Sequence, residues 1–150
     1  MKKNYFLFIS VALLVAACGS QNVSRNKVPS LVLNTLKAKY PDTDHVDWKK
    51  QGNLYEVELD INDSVEIAVL IDDAGKFIMQ KQDVADSELP AGIITAMQNQ
   101  HKDYRVDDVE KIDKGGAVYY QVELKAKGKK ELNKVLSADG NEEKTIAYWD

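Results

Sequence analysis

One cysteine, two histidines and three prolines are spread over 150 residues. Each scarcity excludes something. A lone cysteine cannot form an intramolecular disulfide in any compartment. HExxH, CxxC and glycine-rich phosphate-loop patterns are all absent, so zinc-hydrolase, dithiol and nucleotide chemistry have no local signature. Nucleophilic catalysis needs a nucleophile, a base and an orienting group within reach. The only histidines are His45, in a loop before a strand, and His101, on an apolar helical stripe where packing is the expected role. Positive charge is also short, with 20 Lys and Arg against 24 Asp and Glu. The lysines are dispersed, which argues against nucleic acid, whose affinity rests on cationic contacts. The sequence points to a non-enzymatic protein with no cofactor.

What is present begins at the N-terminus. Lys2 and Lys3 precede an apolar run too short for a comfortable membrane span. The run ends Val15-Ala16-Ala17-Cys18, which resembles the lipobox of bacterial lipoproteins. That resemblance implies lipidation of Cys18, cleavage before it and a membrane anchor through its acyl chains. An ordinary secretory leader with a chance cysteine and an uncleaved helical anchor are the alternatives. Residues 1–17 are then a signal peptide and 18–27 a flexible polar tether. Loss of the leader would leave 18 basic against 24 acidic residues. Gly19-Ser20-Gln21-Asn22 carries no acidic run of the kind that marks surface export in similar lipoproteins, so the periplasmic side of the outer membrane is expected. The Asn22-Val23-Ser24 and Asn62-Asp63-Ser64 sequons are discounted, because a lipobox implies a bacterium.

The remainder says the same thing twice. Residues 28–41 match 89–102 at an offset of 61, and YEVEL (55–59) matches YQVEL (120–124) at 65. DDAGK (72–76) matches SADGN (137–141), again at 65. The four extra residues fall between HVDWKKQG and its counterpart RVDDVEKIDKGG. Two units result, 28–84 and 85–150, as two small domains or one merged sheet.

Within each unit the hydrophobic period changes. Val28, Val32, Leu36 and Tyr40 lie four apart, as do Leu89, Ile93, Met97 and His101, which marks one helical stripe in each. Pro29 and Pro90 suit a first turn, and Ser87 is a candidate cap. The period then becomes two: Tyr55, Val57, Leu59 and Ile61 face one way, Glu56, Glu58 and Asp60 the other. VEIAVLI (65–71) is less polar on its second face and is expected to be central, and FIMQKQ is a short following strand. A strand around 45–49 completes the unit. In the second unit, 118–126 repeats the alternation, and Lys130 and Lys134 suggest an edge strand or a register shift. Residues 144–149 read as a closing strand. The fold class is α+β, a tandem repeat of one helix followed by three to four antiparallel strands with the helices on one face. Two helices cannot cover both faces, so one broad solvent-facing sheet surface is expected.

The combination of a lipobox, VPxxVxxxLxxxYP, VxWxxxxxxYEVEL and DDAGK resembles the PepSY-like, β-lactamase-inhibitor-protein-like domains, over residues 27–149. Pro29, Tyr40, Pro41, Trp48, Tyr55, Val57, Leu59, Gly75 and Lys76 carry the pattern in the first unit. Leu89, Pro90, Tyr119, Tyr120, Val122, Leu124, Asp139 and Gly140 carry it in the second, where the tryptophan is missing. The resemblance implies a tandem helix–sheet fold. The lactamase inhibitor of this kind grips its enzyme over the concave sheet, and other relatives are associated with restraining peptidases or binding envelope partners.

The expected activity is therefore protein binding in the envelope, by a face bearing Glu56, Glu58, Tyr119, Gln121 and Glu123, with inhibition of a peptidase or other enzyme as one form of it. A carrier of a small ligand or cation and a structural envelope component are the alternatives. His45 with Asp42, Asp44 and Asp47, or Asp60 with Asp63, Asp72 and Asp73, are weak metal candidates beside the ordinary use of Asp in turns, and no metal site is assigned. Trp48 is expected beneath the helix. Tyr55, Tyr119, Tyr120 and Trp149 are contact anchors if outward, and alternation turns Tyr119 out and Tyr120 in.

Overall fold

The computed structural model describes residues 19–41, 46–62 and 65–149. Cys18 and the leader, His45 with Asp42 and Asp44, and the Asp63-Ser64 turn lie outside the described residues.

Helix α1 (Ser30–Lys39) follows Pro29, whose carbonyl accepts the first helical bond from the Leu33 N–H at 3.1 Å. It stops at Tyr40, before Pro41. Helix α2 (Ala91–Gln100) repeats this after Pro90. Ser87 is not its cap. It sits inside a single 3-10 turn, Asp86–Glu88, where the Glu88 carboxylate accepts the Ala85 N–H at 3.0 Å. Among the described residues no helix is long and apolar enough to cross a membrane.

Among the described residues eight strands form one antiparallel sheet in chain order: β1 (Gln21–Val23), β2 (Trp48–Gln51), β3 (Leu54–Asn62), β4 (Val65–Asp72), β5 (Phe77–Asp83), β6 (Arg105–Lys114), β7 (Ala117–Lys125) and β8 (Leu132–Ser137). The two units merge where β5 pairs with β6, Lys81 opposite Ile112. The four extra residues of the second unit lengthen β6, which bulges between Val106 and Asp108.

Equivalent positions are buried in both units. Val28, Val32 and Leu36 seal against Trp48, Val57, Leu59, Val69 and Ile71. Leu89, Ile93 and Met97 seal against Val109, Val122, Leu124 and Leu136. Trp48 lies under α1 as expected, 2% exposed. Each such large apolar side chain contributes roughly 2 kcal/mol of transfer free energy.

The turn glycines explain why DDAGK and SADGN recur. Gly75 has φ +82° and abuts Leu31, so that a Cβ there would lie 2.8 Å from the Leu31 Cβ. Its carbonyl accepts the Thr35 hydroxyl at 2.6 Å. Gly140 has φ +80° and abuts Gly92 and Ala96, the counterparts of Leu31 and Thr35. Gly92 is thus more than a weak helix former. A Cβ at Gly92 would lie 2.6 Å from the Ala138 carbonyl oxygen.

Two further expectations fail. Residues 21–27 are not a loose tether: Gln21–Val23 pairs with β2, and Arg25–Lys27 is a 3-10 turn. Backbone pairing and a single apolar contact, Val23 against the core under α1, place this polar edge strand, so no apolar alternation announces it. Residues 144–149 are not a strand either. The pairing ends at Glu142 opposite Leu136 and at the Glu143 N–H donating to Val135 O at 2.8 Å. The segment then crosses the helix-free face, drawn there by Ile146 and Trp149. The strand β8 is the sheet edge, in register with β7, and carries Lys134, as one of the two sequence alternatives has it.

Candidate functional site

Alternation in β3 and β7 places Glu56, Glu58, Tyr119, Gln121 and Glu123 on the face away from the helices. They are not one open surface. Residues 142–149, the closing segment, divide the face into a covered centre and exposed margins.

The centre is a second core. Ala68, Leu70, Met79, Ile112 and Val135 pack with Ile146 and Trp149. This is why β4 is apolar on both faces. Tyr119 is half-buried against the same cluster, while Tyr120 packs on the helix side, as alternation predicts. Trp149 is 8% exposed and Gln121 1% exposed.

Around Trp149 the bonding is dense. The Gln121 side-chain amide donates from Nε2 to the Trp149 carbonyl at 2.8 Å. Its Oε1 accepts the Trp149 backbone N–H at 3.1 Å. One amide thus pairs with both backbone groups of one residue, as a neighbouring strand would. Lys81 Nζ donates to the same carbonyl at 2.6 Å and lies 4.9 Å from the indole centroid. Glu56 Oε2 accepts the indole N–H at 2.9 Å. Glu110 completes the group: it accepts from Gln121 Nε2 and pairs with Lys81 at 2.7 Å, both side chains only 11% exposed. Lys81 and Glu110 were not among the sequence candidates. On the helix-free face Lys81 follows Met79 in β5 and Glu110 precedes Ile112 in β6, and a charge two residues from an apolar one on the same strand face is the signal that could have found them.

The margins are charged and wet. Glu58 is 45% exposed and pairs with Lys49 at 2.7 Å. That pairing, then Glu56, raises the Lys49 pKa against a lesser desolvation effect. At the far margin Lys125 pairs with Glu123 and Asp107, each at 2.6 Å. The Lys125 ammonium holds the Asp107 carboxyl below its ordinary range, with Arg105 adding to it. Glu131 shares a hydrogen bond with Glu123, which pushes Glu131 up and Glu123 down. Beside Lys81 lies a hollow of about 130 Å³ lined by Glu58, Glu66, Asp83 and Glu110 among others.

The aspartate cluster does not assemble. Asp60 faces Glu66 near one end of the β3–β4 hairpin, and Asp72 pairs with Leu54 at the other, about 20 Å away at strand rise. The Asp72 carboxylate accepts the Lys76 N–H at 2.8 Å within its turn. No group of three metal-ligating side chains occurs among the described residues. His101 ends α2 and meets Tyr104 edge-on, centroids 6.1 Å apart.

Comparison with known proteins agrees with this architecture. The sequence model of a family described as "Putative beta-lactamase-inhibitor-like, PepSY-like" matches residues 14–79 and 72–141. A DUF2874 family protein from Bacteroides uniformis superposes with a TM-score of 0.67 at 19% identity, over 76% of this chain and 85% of its own. A Bacteroides eggerthii protein described as "putative periplasmic" gives 0.67 at 16%, over 77% and 85%. A BLIP-like protein from Bacteroides fragilis gives 0.61 at 22%, over 76% and 82%. At these identities the shared property is the fold. No curated protein matches the chain.

Proposed function

The chain belongs to the beta-lactamase-inhibitor-like, PepSY-like family, and from that premise we propose that it is a non-enzymatic protein-binding module of the cell envelope, docking through the helix-free face of its sheet. One observation carries the reading: among the described residues eight strands make one broad surface, and the closing segment alone covers part of its helix-free side. The margins bear the exposed Glu58 and the partly exposed Glu123, while Glu56, Tyr119 and Gln121 line the covered centre. Restraint of a peptidase or another enzyme is one form such docking takes, and the BLIP-like description of the Bacteroides fragilis protein supports it. The "putative periplasmic" description of another relative supports an envelope address, with Cys18 as the lipid attachment point. If so, Gly19 and Ser20 alone separate the anchor from β1, which holds the body close to the bilayer.

For docking, the body from residue 19 onward is used to capture partners from detergent-solubilised envelope, beside a Glu58→Lys/Glu123→Lys variant. Glu58 belongs to an exposed ion pair of little worth to stability, and Glu123 to a partly exposed one, so the variant is used once its fold is checked. A protein enriched by the parent and lost with the variant is the expected result. Equal recovery by both would remove the face from consideration.

A further inference from the structure

Resting on the reading that the helix-free face docks partners, we propose that its centre is a recognition cradle for an extended peptide segment bearing a tryptophan. The closing segment fills the cradle in cis, and a partner's segment of the same chemistry fills it in trans.

The chemistry of the cradle selects this ligand. Gln121 offers one acceptor and one donor to the N–H and C=O of the same residue. Only an extended backbone presents both groups of one residue on the same side. Glu56 takes the indole N–H and Lys81 lies near the indole ring. Phenylalanine would leave the Glu56 acceptor unused, and an aliphatic residue would leave the ring site empty as well.

A mere seal needs none of this. Apolar residues at 81, 110 and 121 would close a core without removing a lysine, a glutamate and an amide from water. Lys81 and Gln121 converge on Trp149, a residue that is not part of any strand, and Glu110 braces both of them from behind. If the segment leaves, water can replace its bonds, so the cradle can exchange one occupant for another.

The test uses the body from residue 19 onward and a labelled, end-capped peptide of residues 144–149. Trp149→Ala is expected to bind the peptide. The parent should bind about tenfold more weakly or worse, because the cis segment competes at roughly millimolar effective concentration. Trp149→Ala/Gln121→Ala, and a peptide with alanine for tryptophan, should show no binding. A folded Trp149→Ala chain that ignores the peptide, or binds it no better than the Gln121 variant does, overturns the proposal. Should Trp149→Ala fail to fold, a protease site inserted between Glu143 and Lys144 is cut after folding. Replacement of the cut segment by labelled peptide then supports the cradle, and failure to replace it overturns it. The two readings separate cleanly. Capture that depends on Glu58 and Glu123 without peptide binding leaves docking standing and removes the tryptophan cradle. Peptide binding with charge-independent capture does the reverse.

Discussion

The two tryptophans sit on opposite faces of one sheet and are held in opposite ways. Trp48 lies under α1 among Val32, Leu36 and Val57, and its indole N–H has no hydrogen-bond partner among the described residues. Trp149 lies across the other face with its backbone N–H, carbonyl and indole N–H all paired to side chains. The helix face is thus a permanent core, whose cohesion is apolar and continuous with the chain's own helices. The opposite face holds its cover by directional polar bonds, which water or another peptide can match. The same sheet supplies both because β4 and β6 alternate apolar side chains to each side, Val69 and Val109 toward the helices, Leu70 and Ile112 toward the closing segment.

That contrast can be broken most forcefully on the helix face. Gly140→Ala places a Cβ against the Gly92 carbonyl and the Ala96 methyl at a left-handed φ. It should cost about 3 kcal/mol, read from the urea midpoint. Gly52→Ala is the control, since Gly52 also has positive φ but nothing within 4 Å. It should cost only about 1 kcal/mol.

Trp149→Ala comes next, at about 2 kcal/mol. This is below the usual cost of deleting a core tryptophan, because the segment can peel away and leave Gln121 and Lys81 to water. Trp48→Ala should cost more, since nothing can peel from beneath α1. Equal losses would erase the distinction between the faces.

A smaller effect is expected at Tyr40, the helix-face residue whose hydroxyl donates to Gln80 Oε1 at 2.6 Å. Tyr40→Phe should cost about 1 kcal/mol. Burial, then the nearby Asp113 carboxylate, raises the Tyr40 pKa. The contribution should therefore be complete below about pH 10 and fade as pH rises through the raised value.

The smallest effect belongs to the wet margin. Asp107 is lowered from its ordinary 3.8, chiefly by Lys125, so this pairing favours the fold above that pH and is lost as pH falls through the depressed value. The Lys125 pKa is raised, first by Asp107 and then by Glu123, so its contribution is present below 10.5 and fades above it. Lys125→Met should flatten the acid limb of stability against pH, and added salt should shrink the difference between variant and parent.

Much of this fold was legible. The two helical stripes, the alternation in β3 and β7 and the central position of β4 follow from period alone, because each periodic face has one partner to bury against. The edge position of β8 shows in Lys134, which a central strand would rarely tolerate. Alternation also sorted Glu56, Glu58, Tyr119, Gln121 and Glu123 onto one face. It could not say what crosses that face. The closing segment carries Ile146, Tyr148 and Trp149, a spacing that fits a strand as well as a crossing. Only the end of pairing at Glu142 decides between them. Gln121 therefore reads as an outward polar residue until Trp149 is seen upon it. β1 was missed for a related reason: Gln21 and Asn22 contribute backbone, and backbone has no signature in composition.

The docking claim is tested most directly by photo-cross-linking in native cells. A photoreactive residue replaces Glu58 on the helix-free face in one chain and Lys37 on the outer side of α1 in another. Both positions are exposed, and both substitutions leave the core untouched. A discrete cross-linked protein from position 58 and none from position 37 is the expected result. A cross-link from position 37 alone would place the partner on the helices and contradict it.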